Sequence, residues 1–305
     1  MQLLLKRLVE QNRHYTKYGK VANYIPELGK MDPDKLGIVI VDTGGKIYRA
    51  GDYDLKFTLQ SMSKPIVLLL ALMDNGEETV FKKVGKEPTG DPFNSMRKLE
   101  TLSPPKPLNP MINAGAITVT SLIKGKDSKE KFERILDMVR KISNNPRLNI
   151  NMDVYLSEKK TGDRNRAIAY FLKDVGILEG DVEEALDLYF KQCSIEVTCE
   201  DIANIGMFLA NQGIDRKTGK VIAPKYLTQI VKTFMVTCGM YDESGEFAIN
   251  VGVPSKSGVS GGIISAVPNR MGIGVIGPAL NAKGNSIAGV KLLMDLSREL
   301  KLSIF

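Results

Sequence analysis

The chain has a single histidine, His14, no tryptophan and three cysteines in 305 residues. Each shortage removes a class of chemistry. Serine nucleophiles most often use a histidine base, so a hydrolytic serine here must draw its base from another side chain. One histidine, and cysteines at 193, 199 and 238 without CxxC spacing, leave no ligand set for a zinc site. The same thiols form no even framework and are expected to stay reduced. The apolar run 66–73 is far short of the roughly 20 residues that span a bilayer. The first residues, Met1 to Arg7, are amphipathic and lack a signal-peptide layout. A soluble, cytoplasmic protein with no metal or organic cofactor is expected.

What the chain does have suits a substantial core: 43% of its residues are hydrophobic and 25% charged. The net charge of +7 is dispersed, with lysines set among acids as in 124–140. A nucleic-acid footprint needs a clustered stripe or a recognisable module, and neither is present. A basic field also draws anionic or zwitterionic small molecules.

The order of patterns suggests an architecture. A helix to about residue 19 precedes a strand at 36–42, a Thr43-Gly44-Gly45 turn and a second strand at 46–50, a hairpin signal. An apolar helix follows, closed by Asn75 and Gly76. Residues 77–110 are rich in Pro, Gly and charge and read as irregular loop. Helical periodicity then dominates near 113–123, 128–143, 153–158, 163–175, 182–192, 199–211 and 224–236, with Thr198 and Asp201 resembling a capping pair. Short apolar or alternating segments at 247–251, 262–267 and 273–276 read as strands, and 286–300 as a final amphipathic helix. The expected fold is α+β: a mainly antiparallel sheet built from both chain ends and flanked by the terminal helices. Residues 1–75 and 240–305 would form that lobe, with 76–239 inserted as a helical lobe and a cleft between them.

The most informative motif is Ser61-Met62-Ser63-Lys64. Three residues apart on a helix, Ser61 and Lys64 share one face. Pro65 fits a first turn, so Ser61 falls near a helix N-terminus, where the dipole favours a developing oxyanion. Ser95, Ser103, Ser121, Ser128 and Ser157 also precede a lysine by three, but only Ser61 lies between a strand-like stretch and a long apolar helix. The competing assignment is a helix-capping serine with a surface lysine. Far downstream, Lys256, Ser257 and Gly258 supply a basic residue, a hydroxyl and a glycine at a strand edge, the third element of serine–lysine acyl transferases. A Ser-Asp-Asn element is missing, which counts against a β-lactamase or transpeptidase. Gly272, Gly274 and Gly277 match GxGxxG, yet no helix opens there, so a structural strand is expected rather than a dinucleotide loop. Asn113 reads equally as a helix cap, and Asp163 with Arg164 as an ordinary ion pair between Glu158 and Asn165.

Taken together, the segments Gln60 to Lys64, Asn109 to Ala116, Gly162 to Asn165, Gln192 to Cys199, Cys238 to Tyr241 and Lys256 to Gly262 resemble the serine-dependent glutaminases. Asn23 to Leu28 does too. The matches run in order over about residues 21–290, and the chain resembles the minimal bacterial form rather than the ankyrin-bearing animal one. Met62 stands where the family often has isoleucine. The resemblance implies a β-lactamase/transpeptidase-like fold and hydrolysis of L-glutamine to L-glutamate and ammonia. It implies Ser61 as nucleophile, Lys64 as its activating partner, Tyr241 in proton transfer, and the N–H groups of Ser61 and Val259 as oxyanion hole. It assigns Tyr24, Asn113, Glu158, Asn165 and Tyr189 to substrate binding, and a homodimer or homotetramer as assembly. In chemical terms, Glu158 can pair with an α-ammonium while Asn113 and Asn165 donate to an α-carboxylate. Two other readings remain open: a serine–lysine amidohydrolase of the penicillin-recognising group acting on another substrate, and a non-catalytic glutamine sensor.

Overall fold

The structure, a computed structural model, describes residues 1–305. Its centre is a five-stranded antiparallel sheet. The strands are β1 (Gly37–Asp42), β2 (Ile47–Gly51), β5 (Ser255–Ser257), β6 (Gly262–Val267) and β7 (Met271–Ile276), in the order β2-β1-β7-β6-β5. Two further short strands, β3 (Phe57–Thr58) and β4 (Glu196–Val197), form a separate ribbon. The two ends of the chain join where β1 pairs with β7, from Gly37 opposite Ile276 to Asp42 opposite Met271.

Side chains alternate across β1 as strand geometry requires. Ile38 and Ile40 face a core shared with the Gln2–Arg13 and Ile287–Leu300 helices, whose Leu5, Leu8, Leu292 and Leu296 cover that side. Val39 and Val41 face the larger core, which holds the Cys199–Ala210 and Ser63–Lys83 helices. Both faces are covered, so the β1, β6 and β7 runs are apolar almost throughout.

Two of the GxGxxG glycines, Gly272 and Gly274, belong to β7 and Gly277 directly follows it, as the sequence context suggested, and the role of the two strand glycines is packing. A Cβ on Gly272 would lie 2.0 Å from the Met207 nitrogen, and one on Gly274 would lie 2.2 Å from the Cys199 carbonyl oxygen. The Cys199–Ala210 helix therefore rests its backbone directly on the sheet. Its start carries the expected capping box of Thr198 and Asp201.

Two local expectations need correction. The segment expected as a strand at 247–251 is a helix, Ser244–Asn250. Phe247 and Val251 are buried four residues apart while Ile249 between them is 87% exposed, which is helical and not strand periodicity. The third C-terminal strand is instead β5, on the sheet edge. The stretch at 77–110 is not wholly loop. Gly76 leaves helical geometry at φ 75° and ψ 167°, but the helix resumes to Lys83, and a short helix forms at Arg97–Thr101. Gly76 kinks the helix instead of ending it, and the continuation buries Val80.

The Ser63–Lys83 helix is the axis of the molecule. Every residue from Ser63 to Leu72 is buried, as expected of a helix apolar on all sides. No helix is long and apolar enough to cross a membrane.

Candidate active site

Ser61 lies on the short 3-10 turn Gln60–Met62, which leads directly into the central helix. Several contacts fix this turn. Leu59 N–H donates to the Ile195 carbonyl at 2.9 Å, which extends the β3–β4 ribbon. Ser63 Oγ donates to the Gln60 carbonyl at 2.8 Å. Gln60 itself has φ +49°, a left-handed conformation uncommon outside glycine. Met62 points away from the cavity and packs where Cβ atoms on Gly258 and Gly262 would stand.

Lys64 is buried among apolar neighbours. Its Nζ donates to Asn113 Oδ1 at 2.7 Å and to the Met111 carbonyl at 3.0 Å. Burial pushes its pKa down to about 8, against the opposing pull of Cys193 and Glu158. Tyr241 opens the short 3-10 turn Tyr241–Glu243, with φ +55°. Its hydroxyl donates to the Ser257 carbonyl at 3.4 Å. Burial raises the phenol to about 12, while hydrogen bonding to Ser61 and Ser257 holds it down. Phe93 lies against the Tyr241 ring at 4.7 Å between centroids, and Lys256 Nζ sits 4.3 Å from the ring centroid. Lys256 donates to the Gly239 and Ser257 carbonyls at 2.9 and 2.7 Å. Burial, helped by repulsion from Lys64, takes its pKa well below that of an ordinary lysine.

A cavity of about 110 Å³ opens beside Ser61. Glu158, near the end of the Met152–Thr161 helix, reaches its wall. Its Oε2 is buried and has no hydrogen-bond partner. Burial raises this carboxyl to about 8, against the lowering effects of Ser194 and Lys64. Asn113 opens the Asn113–Ser121 helix without capping it. Its Oδ1 accepts from Lys64 and, at 3.3 Å, from Tyr189 Oη, and its Nδ2 donates to Asn165 Oδ1 at 2.9 Å. Asn165 accepts through its Oδ1 and lines the cavity. Tyr24 is 55% exposed, yet it also lines the cavity. Burial of its hydroxyl, then Tyr241 and Glu158, raise its pKa. Val259 completes the wall, and its N–H makes no backbone hydrogen bond.

All nine residues singled out in the sequence thus converge, although they come from seven separate stretches of chain. Seven line the cavity, and Lys64 and Tyr241 stand buried behind it. Others were not anticipated. Phe93, Asn94 and Arg164 also line the cavity. Arg164 Nε donates to the Asn94 carbonyl at 3.0 Å, while Asp163 pairs with Arg166 and not with Arg164. Phe93 and Asn94 lie in the Pro- and Gly-rich stretch, where no periodicity marks a functional side chain. Cys193 also lines the cavity, and burial drives its thiol pKa far upward, away from the thiolate that a nucleophile needs. No group of three or more His, Cys, Asp or Glu side chains gathers as a metal site.

An antiparallel sheet made from both chain ends and flanked by helices, with a buried serine and lysine at the start of the central helix, defines the β-lactamase-like class of fold. Comparison with known proteins narrows this. A sequence model of the glutaminase family matches residues 19–305. A glutaminase from Clostridium botulinum (strain Loch Maree / Type A3) is 60% identical over 305 residues, covering 100% of both chains. One from Alkaliphilus oremlandii is 60% identical over 306 residues with the same coverage. Among solved structures, a probable glutaminase from Bacillus subtilis complexed with 6-diazo-5-oxo-L-norleucine matches with a TM-score of 0.92 and 42% identity, over 100% of this chain and 97% of that one. A covalent complex of a Bacillus subtilis glutaminase with 5-oxo-L-norleucine, formed by reaction with the diazo compound, matches at 0.91 and 41%, over 100% and 99%. The chain belongs to the glutaminase family.

Proposed function

We propose that this chain hydrolyses the side-chain amide of L-glutamine to L-glutamate and ammonia through a glutamyl ester on Ser61. One observation carries the assignment of substrate: the unpartnered Glu158 Oε2, buried in the same small cavity as Ser61. A buried carboxyl without a partner is costly, and an α-ammonium is the group that would relieve it. Asn165 offers amide donors for the α-carboxylate. The relative that reacts covalently with 6-diazo-5-oxo-L-norleucine, a glutamine analogue, supports the same reading.

In this mechanism Ser61 Oγ attacks the amide carbon and its proton passes to neutral Lys64. With a pKa of about 8, about a tenth of Lys64 is neutral at pH 7. Tyr241, at about 12, stays protonated and is a poor base. It serves as the carrier beside Ser61, giving its proton to the departing ammonia and regaining one from the Lys64 ammonium. The developing oxyanion is met by the N–H groups of Ser61 and Val259. Water then cleaves the ester by the reverse sequence and releases glutamate. The division into a sheet lobe (1–75 and 240–305) and a helical insert (76–239) belongs to this reading, since it places the reaction at the seam. So do a homodimeric or homotetrameric assembly, open to light scattering, and a cytoplasmic location, supported by three buried free cysteines.

The decisive experiment is ammonia release from glutamine by the purified protein. Turnover at millimolar glutamine is expected, and its absence there refutes the proposal.

A further inference from the structure

The premise is the role of Tyr241 as proton carrier, given above. Tyr241 holds a left-handed backbone, φ +55°, and such a conformation in a non-glycine residue persists only where its surroundings over-determine it. We propose that Asn285, acting with Glu243, is a positioning residue of the reaction: it clamps the turn that carries Tyr241 and keeps the phenol beside Ser61.

Asn285 is fully buried. Its Nδ2 donates to the Met240 carbonyl at 3.1 Å and to the Glu243 carboxylate. It therefore grips the chain on both sides of Tyr241. Asn281 Nδ2 donates to both Glu243 oxygens, at 3.0 and 2.9 Å, so the carboxylate is fixed from two directions. Ser244 closes the turn from within: its Oγ accepts from Met240 N–H at 3.1 Å and donates to the Tyr241 carbonyl at 2.8 Å.

The clamp is itself rigid. Asn285 N–H donates to Asn281 Oδ1 at 3.0 Å, and Asn281 N–H donates to the Asn285 carbonyl at 2.8 Å. Between them Gly284, at φ +91°, brings its backbone up to the tyrosine, where a Cβ would lie 3.5 Å from Tyr241 Cε2. Asn285 and Glu243 do not line the Ser61 cavity. They border a different one, of about 250 Å³. Their route to the chemistry runs through Tyr241. A misplacement of about 1 Å at a reacting group can cost about a hundredfold in rate, so the clamp should appear in kcat and not in substrate binding.

The test is a double-mutant cycle between Asn285→Ala and Tyr241→Phe, read as separate kcat and KM values for glutamine. Asn285→Ala alone should lower kcat about ten- to a hundredfold with KM little changed. In the Tyr241→Phe background the same substitution should cost almost nothing, because the group it positions is gone. A purely structural role would lower both backgrounds by the same factor, and that result overturns the proposal, as does wild-type kcat in Asn285→Ala. Should Asn285→Ala fail to fold, Glu243→Ala, at a partly exposed residue, takes its place with the same expectation. Glu243→Gln, which keeps an acceptor for both asparagines, should restore most of the rate. Near-normal activity in Tyr241→Phe alone removes the premise, and the inference falls with it. Loss of activity in Tyr241→Phe with full independence from Asn285 refutes only the clamp.

Discussion

Glutamine binding should expel a proton from Glu158, and the size of that effect follows from the empty site. With its carboxyl raised to about 8, Glu158 is about one-tenth ionised at pH 7. Pairing with an α-ammonium requires the ionised form, so binding at pH 7 should release about 0.9 proton per site. The same linkage weakens binding roughly tenfold, on the order of 1 kcal/mol, relative to the fully ionised carboxylate. The assay is titration calorimetry of glutamine into Ser61→Ala, which binds without turnover, in two buffers of different ionisation enthalpy. Proton release should be close to one per site at pH 7 and fall to zero by about pH 8.5 as affinity rises severalfold, and above that pH it should turn to uptake, because free glutamine then begins to lose its α-ammonium proton. Glu158→Gln should abolish most of the release and flatten the pH dependence. It should also cost about 1.5–3 kcal/mol in glutamine affinity, as a charge-assisted contact becomes a neutral one. A Ser61→Ala protein that binds glutamine at pH 7 without exchanging protons would refute the reasoning. So would the same release in the Glu158→Gln variant, which would trace it to Lys64.

Ser61→Ala should reduce kcat by several orders of magnitude while the fold is kept, checked by ammonia release and thermal unfolding; near-normal turnover would move the chemistry elsewhere. Gly274→Ala should destabilise the protein by about 1–3 kcal/mol, because its Cβ would stand 2.2 Å from the Cys199 carbonyl oxygen; an unchanged Tm would mean that the Cys199–Ala210 helix can shift freely. In the empty protein Glu158→Gln should raise Tm at pH 9 and have little effect at pH 4. The folded pKa of Glu158 is raised, so the stability it contributes is present below its unfolded value of about 4.5 and is lost as pH rises through about 8. Exhaustive chelation should leave activity unchanged, and recovery of lost activity by one added metal would contradict this.

The helices Ser128–Ser143 and Val182–Cys193 were legible because each is an amphipathic segment with a capping aspartate before it. The Ser128–Ser143 helix is one case, with Asp127 accepting from Glu130 N–H. The sheet was legible in outline because β1, β6 and β7 are short apolar runs set between Gly and Pro. Where two apolar residues fell four apart, as at Phe247 and Val251, the pattern suited either structure, and only packing decided. Ser61 and Lys64 stood out because a serine and a lysine on one helical face is a local arrangement. Glu158 and Asn165 could not be found in that way. Their meaning lies in Lys64, Asn113 and Tyr189, which are contributed by three other helices, and the spacing within 158–165 carries none of it. The Asn285 clamp was invisible for the same reason, since its partners lie some forty residues away.

Glu158 and Lys64 share an electrostatic problem, and the substrate is what changes its solution. In the empty cavity each lowers the cost of charging the other. On the proposed binding mode glutamine would bring an ammonium to Glu158, and the resulting ion pair would present little net charge to Lys64. In Glu158→Gln the ammonium arrives without its counter-charge. It should then repel the proton on Lys64 and lower the lysine pKa in the bound state. The expected result is an alkaline-rising limb of kcat near pH 8 in the wild type that moves to lower pH in Glu158→Gln, at saturating glutamine. That direction is opposite to what loss of a general base would give, because removing the base flattens the limb. The measurement is a pair of kcat–pH profiles taken above KM at every pH. A limb that stays in place would mean that the group titrating in kcat does not feel the substrate ammonium, and Lys64 would lose its assignment as the base.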